Sequence, residues 1–169
     1  HAGAHVILAV RDTDRGEQRA REIGGSTEVT HLDLADLSTV RAFADRLTDP
    51  VDILVNNAGV VLVSRRDTVD GFEATIGTNF LGPFALTNLI ADRVTDAVVI
   101  VGSDAHRMTS LRLDDLDLRS GWNAQRAYAQ SKLADMLWGL ELDRRYREAG
   151  SSVSVTLTHP GCWLLYTSD

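Results

Sequence analysis

Short apolar runs alternate along this chain with longer stretches whose apolar residues recur every three or four positions. The runs fall at residues 6–10 (Val6-Ile7-Leu8-Ala9-Val10), 27–31, 52–55, 97–101 and 153–157. Each is short and bounded by polar or turn-forming residues, as a buried strand is. Helices are expected between them at 13–23, 36–47, 72–92 and 125–149. On the last, Leu133, Leu137, Leu140 and Leu142 supply a broad apolar face. Regular strand–helix alternation predicts an α/β fold with a parallel sheet covered on both faces. Residues 108–121, rich in Leu and Asp, read as a loop before the last helix that lines a substrate entrance. No apolar run reaches the ~18 residues a membrane span needs, and there is no repeat, linker or low-complexity tract.

Composition narrows the function classes. The 169 residues carry a formal net charge of −7, which argues against a nucleic-acid or anionic-membrane surface. The arginines near the start (Arg11, Arg15, Arg19, Arg21) are scattered, with Glu or Asp nearby. The five histidines and one cysteine form no ligand-spaced cluster, so no metal site is expected. Cys162 reads as a lone reduced thiol, which suits a cytoplasmic protein.

The chemistry begins at Tyr128-Ala129-Gln130-Ser131-Lys132. A spacing of four puts Tyr128 and Lys132 on one helix face. Tyrosine is a poor acid or base near neutrality, with a reference pKa of about 10. An ammonium one turn away favours the phenolate and fits the side chain for proton exchange with an alcohol or carbonyl oxygen. Alone the pair is unspecific, because a half-buried Tyr beside a solvated Lys is common. Its company is more telling. The run at 52–55 stops at Asn56-Asn57-Ala58-Gly59, where small residues let a ligand approach the backbone. Asn79 lies inside the helical stretch 72–92. The run at 97–101 ends at Gly102-Ser103-Asp104-Ala105-His106, and the last strand ends at His159-Pro160-Gly161. Chemistry in an open α/β sheet collects at the carboxyl ends of its strands, where Asn56, Ser103 and Pro160 all stand.

Together these segments resemble the short-chain dehydrogenase/reductase family, from about His5 to Gly161. Val6 to Arg11, His31-Leu32-Asp33-Leu34, Gly71-Phe72-Glu73 and Ser103 to His106 resemble its retinol-dehydrogenase-like branch. The resemblance implies a Rossmann-like, doubly wound parallel sheet and an NAD(P)-dependent oxidoreductase moving a hydride between the nicotinamide and an alcohol or carbonyl. Tyr128 would be the general acid or base. Lys132 would favour the phenolate and hold the nicotinamide ribose. Ser103 would hydrogen-bond the substrate oxygen, and Asn79 would hold a water beside Lys132. Asn56, Asn57, Ala58, Gly59, Pro160 and Gly161 would border the cofactor, and Asp33 and Leu34 would line the adenine pocket. Asp33 also fits a plainer role as a partner for the start of the next helix. His106 reads as a loop histidine near the site.

Arg11 closes the strand 6–10, where an acidic residue selects NAD. An arginine there instead matches a 2′-phosphate, so NADP is expected, with NAD as the alternative. The implied substrate is a small lipophilic alcohol, ketone or aldehyde, and the implied parent is a homo-oligomer. Departures from the family pattern are also expected to matter. No first strand or Gly-rich phosphate loop precedes His5, so residues 1–161 are read as a partial domain whose sheet lacks its first and last strands. Unpaired strand edges would then leave the first ~50 residues loosely packed, since unmet backbone groups cost about 1–3 kcal/mol each if dry. Residues 162–169 are read as an irregular tail, possible sequence artefact, and Thr167 takes no nicotinamide role. Gly102 stands where a Ser often precedes the catalytic one. Two other readings remain: a non-catalytic fragment or fold relative, and a sugar-nucleotide epimerase.

Overall fold

The structure, a computed structural model, describes residues 3–159. Five parallel strands form two sheets. In the first, β1 (His5–Val10) pairs with β2 (Ser26–His31), with His5 opposite Ser26 and Val10 opposite His31. In the second, β4 (Val94–Val101) lies between β3 (Val51–Asn56) and β5 (Ser154–Thr158), with Val98 opposite both Leu54 and Val155. Among the described residues no ladder joins β1 to β3. Apolar side chains lie open along these strands: Ile53 and Val55 are each 54% exposed and Val6 37%. The sheet is parallel and incomplete, as the sequence predicts, with its interruption between the β1–β2 pair and β3.

Helices cover both parts. In α1 (Thr13–Ile23), the Asp12 carboxylate accepts from the Arg15 N–H at the start. At the end, Gly24 adopts φ 65°, a conformation favourable to glycine, and donates to the Ala20 carbonyl. Asp36 caps α2 (Leu37–Arg46) by accepting from the Ser38 N–H. Asn123 does the same for α5 (Ala124–Glu148) through the Arg126 N–H. A core of Leu32, Val40, Phe43, Leu86, Ile90, Val98, Ile100, Trp138 and Leu142 connects both sheets with α2, α5 and the helix preceding β4.

Two expectations change. Residues 72–92 are not one regular helix. A short α3 (Ala74–Ile76) runs into a wide π turn over Gly77–Leu81 and then α4 (Gly82–Leu89). The Gly82 N–H reaches back five residues to the Gly77 carbonyl. Pro83 has no N–H to give the Asn79 carbonyl, which removes one α-helical bond at this point. The second correction concerns α5. Leu137 and Leu140 are 47% and 60% exposed, whereas the buried side carries Ala127, Gln130, Ser131, Lys132, Ala134, Asp135 and Gly139 beside Trp138 and Leu142. Close packing explains the small residues. A Cβ on Gly139 would stand 2.4 Å from Leu157 Cδ2 of β5. Similarly, a Cβ on Gly82 would stand 2.4 Å from the Leu34 backbone oxygen, so α4 touches the turn after β2. The polar members of that buried side, Gln130, Ser131, Lys132 and Asp135, lie at the candidate site.

Candidate active site

The carboxyl ends of β3 and β4 meet the first turns of α5. Beyond β3, the Asn57 N–H bonds the Val55 carbonyl, and Asn56 Nδ2 donates to Thr87 Oγ1 at 3.1 Å on α4. The wide turn at 77–81 buries Asn79, which is 2% exposed. Its Oδ1 accepts from the Val60 N–H at 2.8 Å, and its Nδ2 donates to the Val60 carbonyl and to Ser131 Oγ, both at 3.0 Å. Ser131 Oγ in turn donates to the Tyr128 carbonyl at 2.8 Å. Asn79 therefore ties the segment after Gly59 to the first turns of α5. A Cβ on Gly59 would stand 3.7 Å from both Asn79 Oδ1 and Lys132 Nζ.

Lys132 is not a solvated surface lysine. It is 5% exposed, and its Nζ donates to the Val101 carbonyl at 2.9 Å and to Asp135 Oδ2 at 3.0 Å. Asp135 is 2% exposed, and its second oxygen, Oδ1, has no hydrogen-bond partner. Burial pushes the Asp135 carboxyl up to about 6, against the opposing pull of Lys132. Tyr128 is half-buried, and its hydroxyl makes no hydrogen bond among the described residues. Ser103, at the end of β4, caps a short 3₁₀ turn over Asp104–Met108 by accepting from the Ala105 N–H at 3.3 Å. His106 folds back onto the Ser103 carbonyl, with its Nδ1 2.6 Å away, and is a turn residue, as expected.

The segment before α5 is irregular, as expected, yet well anchored. Gln130 is 1% exposed; its Oε1 accepts from the Arg112 N–H and its Nε2 donates to the Leu116 carbonyl. Buried Glu73 accepts from Trp122 Nε1, while its own N–H donates to Asp117 Oδ1. Between this segment and the helices lies a cavity of about 320 Å³, with Phe72, Ile76, Phe80, Leu81, Leu113 and Leu116 in its wall.

Other predicted residues lie away from α5. Arg11 is exposed after β1 and lines a second cavity, of about 330 Å³, with Leu8, Val10, Arg15, Gly16 and Arg19. Arg19 also pairs with Glu22. The Asp33 carboxylate closes a turn by accepting from the Ala35 N–H at 2.9 Å, while Asp36 caps α2. Asp33 thus shapes the turn that leads into the helix. Leu34 lies beneath Gly82. Pro160 and Gly161 lie outside the described residues, as do Cys162 and Thr167. Sequence reading passed over Asp135, Gln130 and Arg15. Asp135 had a legible signal, an acid three residues after Lys132 on the same helix.

The sequence model for short chain dehydrogenases matches residues 1–166. The chain belongs to the short-chain dehydrogenase family. Human retinol dehydrogenase 13 is 41% identical over 172 aligned residues, covering 94% of this chain and 51% of that protein. The retinol-dehydrogenase-like branch expected from the sequence is thus found. A crystal structure of an uncharacterised protein from Mycobacterium paratuberculosis superposes with TM-score 0.91 at 51% identity, covering 98% of this chain and 60% of that one. A metagenomic short-chain oxidoreductase crystallised with NADP gives TM-score 0.70 at 25% identity, with 95% and 71% covered. The chain spans about half the length of the curated relative it matches. Among its described residues no helix is long and apolar enough to cross a membrane.

Proposed function

We propose that the protein is an NAD(P)-dependent oxidoreductase that interconverts an alcohol and a carbonyl on a lipophilic substrate, with NADP(H) as the preferred cofactor. One observation carries this reading. Lys132 is buried one helical turn from Tyr128 with its Nζ held by Val101 and Asp135, next to Ser131, which Asn79 ties to the segment after Gly59. A lysine is almost never buried unless its ammonium is paired; this one is paired with Asp135 and stands beside Gly59 in the turn after β3.

The residues present suit a nicotinamide dinucleotide. Lys132 has three N–H bonds and gives two to Val101 and Asp135, leaving one for a ribose hydroxyl. Residues 57–59 are exposed and lie beside it, so a ligand can approach their backbone. Around the second cavity, Arg11 and Arg15 supply guanidiniums, the group that matches a 2′-phosphate, while the Asp12 carboxylate in the same wall is held by the Arg15 N–H. Asp33 and Leu34 lie on the adenine side. Pro160 and Gly161 are proposed to border the nicotinamide. When bound, the nicotinamide supplies hydride exchange.

The chain supplies the proton chemistry. Tyr128 takes the hydroxyl proton of an alcohol, or returns it to a carbonyl oxygen. Lys132 places positive charge one helical turn behind it. Ser103 Oγ can donate to the same substrate oxygen as its charge changes. Asn79 holds this geometry through Val60 and Ser131, and is proposed to pass the proton onward through a water beside Lys132. The cavity walled by Phe72, Ile76, Phe80 and Leu113, with Asp114, Asp115, Asp117 and Arg119 along the loop side, would take the lipophilic part of the substrate against its apolar wall. The exposed apolar residues Phe84, Leu137 and Leu140 on α4 and α5 would meet a second copy of the protein.

The test is turnover by the protein expressed from its complete gene, with NADP⁺ or NAD⁺ and retinol or decanol as probe alcohols. NADP⁺-linked oxidation abolished by Tyr128→Phe supports the reading. Turnover unchanged by that substitution refutes it.

A further inference from the structure

The polar side of α5 holds one buried carboxylate for which the proton chemistry above has no use. Lys132 Nζ lies 3.0 Å from Asp135 Oδ2, with side chains 6% and 3% exposed. Buried charges are costly unless paired, and removing one partner is costlier than keeping both. Along α5, Lys132 stands one turn and Asp135 about two turns beyond Tyr128. We propose that Asp135 is a positioning residue that anchors Lys132 toward β4 and partly neutralises its charge, and so sets the pH range over which Tyr128 acts as base. This inference rests on the Tyr128–Lys132 reading.

Two features support it. The anchoring is two-sided: Val101 and Asp135 hold Nζ together, so the ammonium has little freedom to swing. The second oxygen, Oδ1, is buried without a partner, so the carboxylate is stabilised chiefly through Lys132. A carboxyl pushed up to about 6 by burial would also gain a proton within the range of enzyme assays. Once it is neutral, Lys132 acts on Tyr128 with its full charge.

Other ionisable groups on elements packed against α5 are engaged elsewhere. On the 3₁₀ turn, Asp104 pairs with Arg107 and with His159 beyond β5, and His106 bonds the Ser103 carbonyl. Glu73, ahead of α3, is held by Thr75 and Trp122. On β4, Asp96 is exposed near the opposite end of the strand. The helix α3, the wide turn and β5 contain no ionisable residue. Among the described residues, Asp135 is the carboxylate that pairs with Lys132.

Substitutions at Asp135 separate charge from anchoring. Asparagine keeps an acceptor for Lys132 and removes the charge; alanine removes both. In the protein from its complete gene, Asp135→Asn should move the acidic limb of kcat/KM for alcohol oxidation to lower pH by about one unit, the scale of a nearby opposite charge. Its plateau kcat should stay within about twofold of wild type, whereas Asp135→Ala should lose roughly tenfold, a loss the asparagine largely restores. A profile for Asp135→Asn that overlays wild type would overturn the proposal.

A readout without turnover covers the case in which the probe alcohols are poor substrates. With ¹³C-labelled aspartate and lysine, the Asp135 carboxyl and Lys132 Cε signals should respond to pH at one shared midpoint near 6. A Lys132 signal indifferent to that step would overturn the proposal equally. Full turnover by Tyr128→Phe would instead defeat the functional reading beneath it.

Discussion

The two sheets of this molecule prepare their sites in different ways. Around β3–β5 the key side chains are buried and bonded to one another before any ligand is considered: Asn79 to Val60 and Ser131, Lys132 to Val101 and Asp135, Gln130 to Arg112 and Leu116. Around β1–β2 the counterpart is an open cavity between β1 and the first turns of α1, edged by Arg11 and Arg15. Preorganisation suits proton transfer, which needs groups fixed before charge moves. An exposed guanidinium suits recognition of a phosphate that arrives with its own charge. The proposed function therefore divides: chemistry depends on the rigid half, and cofactor choice on the open one.

The sharpest break in this contrast is Tyr128→Phe, expected to lower kcat by about 10²–10⁴-fold while cofactor affinity holds, in steady-state kinetics beside a binding titration. Next comes the packing beneath the rigid half. Ile90 is 1% exposed in the shared core, and Ile90→Ala should cost about 2–5 kcal/mol in denaturant unfolding. A smaller effect depends on pH. The folded state holds the Asp135 proton more tightly than the unfolded chain, because burial raises its carboxyl from 3.8 to about 6. This contribution is therefore greatest below pH ~4 and is lost as pH rises to ~6, on the order of 3 kcal/mol. Unfolding of wild type against Asp135→Asn across that window should show the difference, and parallel curves would refute it. The smallest effect belongs to the solvated end of α5. There Arg144 and Arg145 hold Glu141 down to about 2 on an exposed surface. Glu141→Gln should lower Tm slightly, by an amount that added salt erases.

How much was legible in the sequence follows the same division. The strands and the helices α1, α2 and α5 could be read because apolar spacing marks them; the caps Asp12, Asp36 and Asn123 emerge only in the structure. The wide turn at Gly77–Leu81 could not be read from apolar spacing, because that spacing does not register a missing donor at Pro83. The buried side of α5 was misread for a related reason. Leucines dominate the pattern, yet contact with β5 requires Gly139 and the alanines, so Leu137 and Leu140 turn outward. For the site, residue types and order pointed to Tyr128, Lys132, Ser103 and Asn79, which the fold gathers around the ends of β3 and β4. What they touch was hidden. The spacing of Lys132 and Asp135 fits a surface ion pair equally well, and only burial distinguishes the two.

The most direct test of the central claim is a fluorescence titration of NADPH and NADH into the protein expressed from its complete gene, beside Arg11→Ala and Lys132→Met. The account predicts tighter binding of NADPH than NADH. Arg11→Ala should weaken NADPH alone by about 10–100-fold, the worth of one charge-assisted phosphate contact. Lys132→Met should weaken both nucleotides alike through the shared ribose. Absence of binding to either nucleotide, or an equal loss for both in Arg11→Ala, would contradict the account.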